Sequence, residues 1–85
     1  MSVLYRNDFI KQLAKLPIKI ENRFYERLAV FVVNKLHPLL NNHSVDKAFP
    51  GCRSINITGD YRAIFQEQDN VVIFVKIGTH SELYR

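Results

Sequence analysis

Three apolar segments joined by two very short polar links constrain this chain more than any other feature. Residues 53–57, 61–66 and 71–77 read as strands. Thr58-Gly59-Asp60 joins the first to the second, and Gln68-Asp69-Asn70 joins the second to the third. Links this short connect antiparallel neighbours, because a parallel crossover needs a dozen residues or more. The C-terminal third is therefore predicted to be an antiparallel meander. In its first strand Ile55 and Ile57 face one way and Ser54 and Asn56 the other, and in its second Arg62 opposes Tyr61 and Ala63. The third strand is apolar at nearly every position, which predicts a central strand covered on both sides.

The N-terminal half has a different period. Val3-Leu4-Tyr5 reads as a short strand. Asn7 or Asp8 is placed to cap a helix whose Phe9, Ile10, Leu13 and Leu16 share one face, and Pro17 ends it. A second helix is predicted over residues 18–36, with Ile20, Phe24, Leu28, Phe31 and Val32 as its main stripe. So short a break between two helices predicts a hairpin. Residues 37–52 read as irregular, and a connection of that length inside a compact domain is often functional. Helices first and a meander second is the α+β pattern, with the helical hairpin packed on one face of a small antiparallel sheet. The other face is expected to be free for a ligand.

Residues 1–85 are read as one small domain, near the lower size for an unassisted core. A hydrophobic fraction of 47%, with six Phe and four Tyr, is enough for that core. Twelve Lys and Arg against eight Asp and Glu give a net +4, which suits a polyanion or an acidic partner. Cys52 is the single cysteine, so no intrachain disulfide is possible and a reducing, cytoplasmic setting is expected. No charged leader with a long apolar run opens the chain, and the run from Leu28 to Val33 is too short for a bilayer, so no membrane partner is expected.

The last eight residues, Gly78-Thr79-His80-Ser81-Glu82-Leu83-Tyr84-Arg85, place an imidazole, a phenol and a guanidinium just past the third strand. Metal-free RNA cleavage uses such groups: a base for the 2′-hydroxyl proton, an acid for the leaving 5′-oxygen, and cations for the charge on phosphorus. Histidine suits the first two roles, arginine the third, and aromatic rings hold unpaired bases. Taken singly, each residue also has an ordinary explanation. His80 can be a loop histidine bonded to its turn, His43 a solvated one, and Asp60 a plain turn residue after Gly59. Tyr61 and Tyr84 can be half-buried packing, and Arg53 and Lys47 can serve solubility. Arg62 is harder to dismiss, since an arginine within an apolar strand lines a polar face or an ion pair. No metal-ligand spacing, phosphate-binding Gly-rich loop or nucleophile elbow is present, so no cofactor is expected.

The arrangement is more specific than its parts. Gly51-x-Arg53, then Gly59-Asp60-Tyr61-Arg62-Ala63-Ile64-Phe65, then Ile77-Gly78-Thr79-His80-Ser81-Glu82-Leu83-Tyr84 resembles the RelE/ParE superfamily of type II toxins over nearly the whole chain, and the YafQ branch most of all. The resemblance implies roles position by position. That branch's loop histidine falls on His43, its strand-turn aspartate on Asp60, the following aromatic on Tyr61, its C-terminal histidine on His80 and its terminal aromatic on Tyr84. Where the branch has a second catalytic histidine on the first meander strand, this chain has Asn56, which can hydrogen-bond RNA but cannot shuttle a proton. Arg62 matches an arginine of the RelE branch implicated in stabilising the cleaved phosphate.

The resemblance implies a ribosome-dependent mRNA endonuclease that cuts the A-site codon. His80, His43, Asp60, Arg62 and Tyr84 are then the catalytic set, with Arg53, Lys47, Tyr61 and Asn56 on the RNA. It also implies a cognate antitoxin that folds over the toxin, which is monomeric when free. Two alternatives stay open: a ParE-like inhibitor of DNA gyrase that performs no chemistry, and a weakly active toxin, impaired at Asn56, that mainly binds its antitoxin.

Overall fold

The computed structural model describes residues 1–84; Arg85, counted above with the C-terminal octet, lies outside the described residues. Strand β1 (Ser2–Tyr5) leads into helices α1 (Asn7–Ala14) and α2 (Ile18–Val33). A 3-10 turn (Pro38–Leu40) and a two-residue strand β2 (His43–Ser44) follow. The meander is β3 (Cys52–Asn56), β4 (Tyr61–Gln68) and β5 (Val71–Thr79), and a four-residue helix α3 (His80–Leu83) closes the described chain. The five strands lie in the order β1-β5-β4-β3-β2. The meander is antiparallel as its short links require, while β1 runs parallel to β5, from Ser2 opposite Val71 to Tyr5 opposite Phe74. Asp69, at φ 56°, supplies the left-handed residue of the tight β4–β5 turn.

The fold is α+β, with both helices against one face of the sheet. Phe74 of β5 is the hub of the core. The rings of Phe9, Phe24, Phe31 and Phe65 have centroids 5.3–6.0 Å from it. Phe9 of α1 also meets Phe24 of α2 at 5.2 Å, which fastens the helical pair. Aromatic pairs at such distances stabilise beyond the area they bury. At the far end of α2, Lys35 bonds Glu67 of β4 at 2.6 Å. Nearer its middle, the Arg27 guanidinium donates to the Ile57 carbonyl.

Several expectations are corrected. Arg6, not Asn7 or Asp8, is the N-cap of α1; it makes no side-chain cap bond, and Asp8 instead lies in the first turn, where a negative charge favours the helix dipole. Ile10 is half exposed rather than on the core face. Helix α2 ends at Val33, because Asn34 is extended at φ −152°, so Leu36 is outside it. Val32 and Val33 project outward, Val33 at 87% exposure, and Phe24 and Phe31 alone are fully buried in that helix. Residues 37–52 are not wholly irregular, since they hold the 3-10 turn and β2. Strand β5 is second from the edge rather than central. Its burial alternates over Val71–Val75, Val72 and Phe74 being buried and Val71, Ile73 and Val75 only half so.

The sheet face away from α1 and α2 is not simply free either. Ser54 and Ile64 point there, opposite in sense to Ile55 and Ala63 of the core, yet both are 0% exposed. A short C-terminal element supplies part of the cover. A Cβ on Gly78 would lie 3.6 Å from Glu82 Cβ and 3.7 Å from Leu83 Cδ2, so α3 rests directly on this face of β5.

Candidate functional site

Register arranges the polar residues of this second face in transverse rows. Cross-strand partners point to the same side of a sheet. Asn56, Arg62 and Gly78 are partners across β3, β4 and β5. The neighbouring row is His43, Ser54, Ile64 and Lys76 across β2 to β5. Tyr61 opposes Thr79, the residue before His80, and by strand alternation this pair faces the helix side instead. The meander thus gathers residues distant in sequence onto one small platform.

Helix α3 is fixed at the end of that platform by its own start signal. Thr79 and Glu82 form a capping box: the Thr79 hydroxyl accepts from Glu82 N at 3.2 Å, and Glu82 Oε1 accepts from Thr79 N at 2.8 Å. The next backbone N–H, that of His80, donates to the Asp60 carbonyl at 3.0 Å. The turn after β3 and the start of α3 are therefore tied together. No hydrogen bond or ion pair from a described residue reaches the Asp60 carboxylate, so the link between Asp60 and His80 runs through backbone, not from carboxylate to imidazole.

One turn on, the Tyr84 ring lies 4.7 Å from the His80 ring and meets Phe49 edge-on at 5.8 Å. Phe49 belongs to the connection between β2 and β3, so this contact joins α3 to the opposite margin of the platform. Tyr84 and Lys47 line a groove of about 400 Å³ together with residues 44–46 and Ala48. Lys47 is exposed there and makes no ion pair with a described residue.

His43 is exposed on the outer strand β2. Its Nδ1 lies 2.7 Å from the Asn41 carbonyl, which can only accept. The proton is therefore on Nδ1, and in the neutral ring Nε2 is left as the acceptor. Asn41 holds the left-handed conformation, φ 47°, that turns its carbonyl to this position. Strands β3 and β4 separate β2 from β5, a span of roughly 14 Å at the usual interstrand spacing. His43 and His80 are thus contributed by elements that are not neighbours in the sheet.

Arg62 is half-buried, and its NH1 donates to the carbonyls of Thr58 at 2.9 Å and Tyr61 at 3.1 Å. That anchors the guanidinium by one nitrogen at the β3–β4 turn. Arg53 is more fully committed: it bonds the Asn42 side chain at 2.8 Å and the Asn42 carbonyl at 3.4 Å, bracing the loop before His43. Tyr61 packs its ring against the helix-side core, so of the two tyrosines considered for RNA only Tyr84 stands on the platform side. Burial pushes the Cys52 thiol above its ordinary range; the nearby Asp46 charge adds to this and a bond to Gln66 opposes it, as for a packed rather than a reactive cysteine. Among the described residues no three His, Cys, Asp or Glu side chains are grouped to hold a metal ion.

A family model described as the ParE toxin of the type II toxin–antitoxin system parDE matches residues 3–84. The chain belongs to this toxin family. The RelE/ParE superfamily resemblance carried by residues 51–84 is thereby confirmed. Solved toxins share its fold. YafQ from E. coli strain BL21(DE3) superposes with a TM-score of 0.82 at 18% identity, covering 99% of this chain and 98% of that one. YafQ in the E. coli DinJ–YafQ toxin–antitoxin complex gives 0.76 at 19% identity, over 99% and 97%. The RelB–RelE antitoxin–toxin complex from Methanococcus jannaschii gives 0.75 at 21%, over 95% and 94%. No curated protein sequence matches the chain.

Within this ParE-family toxin the platform includes residues that sequence reasoning missed. Phe49, the ring against Tyr84, is one apolar residue in a long loop and carries no signal of its own. Lys76 adds a cation to the row of His43. Ser54 lies in that row, and its role could not be read from a strand of five residues. Thr79 and Glu82 were missed as well, although Thr-x-x-Glu is a helix-start signature that could have found them.

Proposed function

We propose that this toxin is a cytoplasmic endoribonuclease that cleaves mRNA in the ribosomal A site by metal-independent acid–base chemistry. The observation that carries the reading is the seating of His80 and Tyr84, through the capping box and the Asp60 carbonyl, beside the row that holds Asn56 and Arg62. RNA lies across the platform between the two histidines. His43, whose Nε2 is the free acceptor, takes the 2′-hydroxyl proton as O2′ bonds to phosphorus. His80 protonates the departing 5′-oxygen, and a 2′,3′-cyclic phosphate remains. Arg62 balances the charge that develops on the phosphoryl oxygens. Tyr84 stacks on a base and Lys47 meets the backbone beside it. Asp60 acts by position, its carbonyl fixing the backbone of His80. The ribosome bends the mRNA toward in-line geometry, which contributes a large share of the rate.

A cognate antitoxin is the second partner. The related YafQ and RelE structures hold DinJ and RelB. This chain offers such a segment exposed apolar side chains along and after α2, among them Ile18, Val33 and Leu36, and a net charge of +4. No helix among the described residues is long and apolar enough to cross a membrane.

A ribosome toeprint with purified protein tests the reading. Wild type cleaves the A-site codon and His80→Ala does not. Intact mRNA with wild type, or equal cleavage by His80→Ala, overturns it. One observation favours a second reading, inhibition of DNA gyrase without chemistry: the matching family model is that of ParE. Trapped gyrase–DNA adducts alongside intact mRNA would establish that alternative.

A further inference from the structure

Asn42, the residue before His43, lies in a loop and is nonetheless held at three points. Its Nδ2 donates to the Lys35 carbonyl at 2.9 Å, just past the end of α2. Its Oδ1 accepts from Arg53 Nε at 2.8 Å, and its carbonyl accepts from Arg53 NH2 at 3.4 Å. These bonds span 7 and 11 positions in sequence, so they are not the local contacts by which an asparagine shapes its own turn. One side-chain amide, used as donor and acceptor together, ties the chain after α2 to β3. The Asn41 carbonyl belongs to the rigid peptide plane that joins Asn41 to Asn42. That carbonyl is also the partner of His43 Nδ1 at 2.7 Å. Fixing Asn42 therefore fixes the group that sets the His43 tautomer. His43 has little else to orient it: it is exposed, on a two-residue strand at the edge of the sheet. A neutral imidazole keeps one tautomer only where one of its nitrogens has a fixed partner.

We infer that Asn42 is a positioning residue for His43, and that Arg53 serves the same task rather than binding RNA. Held between Lys35 and Arg53, Asn42 keeps the Asn41 carbonyl on His43 Nδ1, which leaves Nε2 unprotonated and ready for the 2′-hydroxyl proton. The inference rests on the RNA-cleaving reading and adds to it what prepares the base. A general base must present a free nitrogen in a fixed direction, and an exposed ring on a short edge strand does neither unaided. Arg53 suits the bracing role by its shape. Its Nε and NH2 engage the side chain and the carbonyl of one residue, a two-point grip that a lysine cannot reproduce although it carries the same charge. Asn42 itself touches neither substrate nor the reacting atoms.

Two measurements test it. Nitrogen-15 NMR of histidine-labelled protein, at a pH where the imidazole is neutral, reads the tautomer directly. Wild type should carry the His43 proton on Nδ1, and Asn42→Ala and Arg53→Lys should each give a mixture in which the Nε2–H form grows. Single-turnover cleavage on programmed ribosomes, followed against toxin concentration, reads the consequence. Loss of one hydrogen bond changes the ratio of two states about fivefold. The maximal rate should therefore fall about fivefold in either variant, with the half-saturating concentration unchanged. The double variant should fall no further, because both substitutions remove one device. Arg53→Lys keeps the positive charge, so a role on RNA phosphate would survive it; it also carries the test if Asn42→Ala does not fold. A wild-type proton on Nε2, a tautomer unmoved in both variants, full-rate cleavage by either, or losses that multiply in the double variant overturns the inference. Intact mRNA with wild type, while the tautomer still follows Asn42, overturns the RNA-cleaving reading alone.

Discussion

The backbone N–H of His80 donates to the carbonyl of Asp60 at 3.0 Å. Two residues twenty positions apart in sequence are thereby held as neighbours. The consequence is mechanical: the orientation of the C-terminal imidazole depends on the β3–β4 turn and on the cap that starts α3.

Removing that cap should loosen the site without unfolding the protein. Thr79→Ala deletes the acceptor of Glu82 N, and loss of an N-cap costs about 0.5–2 kcal/mol. The His80 N–H bond to the Asp60 carbonyl and the Tyr84–Phe49 contact remain to keep the helix near the sheet. Faster amide exchange at residues 82–84, reduced codon cleavage and a nearly unchanged far-UV spectrum are expected, with Thr79→Ser restoring cleavage.

Gly78 makes the same point sterically. A Cβ there would stand 3.3 Å from Glu82 Oε1, the oxygen that accepts from Thr79 N. Gly78→Ala should shift Glu82 and lower activity in part. Gly78→Val, with two further methyl groups against Glu82 and Leu83, should unseat α3 and abolish cleavage while the meander persists. Loss of the His80–Tyr84 ring contact in an NMR NOE spectrum is the direct readout.

Substitutions at Tyr84 separate its ring from its hydroxyl. Tyr84→Phe keeps the contacts with His80 and Phe49, and near-wild-type cleavage is expected if the ring stacks on a base. Tyr84→Ala should lose one to two orders of magnitude, consistent with about 1–3 kcal/mol for base stacking. Comparable losses in both variants would show instead that the phenol carries a proton.

Phe74 governs stability. It is fully buried among five aromatic rings, including that of Tyr5 at 6.0 Å. Phe74→Ala should cost about 3–5 kcal/mol. That is a large part of the roughly 5–15 kcal/mol typical of a whole domain. The urea midpoint should fall sharply, and Phe74→Leu should recover much of the loss.

The meander was legible because Gly59-Asp60 and Asp69-Asn70 are strong turn signals between β-rich runs. The main helices were legible because Phe9, Leu13, Phe24 and Phe31 repeat at helical spacing. Elements of two to four residues were not, since His43–Ser44 and His80–Leu83 are shorter than any period can register. The end of α2 was overextended because Leu36 continues the apolar spacing, whereas the backbone breaks at Asn34. On the platform, His80, His43, Arg62 and Asn56 were named through the resemblance to the toxin superfamily. What pattern could not supply is register: only the pairing of β3 with β4 and β5 puts Asn56 and Arg62 in line with Gly78, or Ser54 beside His43.

The parallel pairing of β1 with β5 bears on when the core can close as the chain is made. The partners of Ser2–Tyr5 are Val71–Phe74, and the rings contributed by α1, α2 and β4 converge on Phe74. A nascent chain that has not yet reached Phe74 therefore has neither its first strand docked nor its core closed, and His80 is still unsynthesised. Docking of the first strand and closure of the aromatic core are thereby coupled to one late segment of the fold.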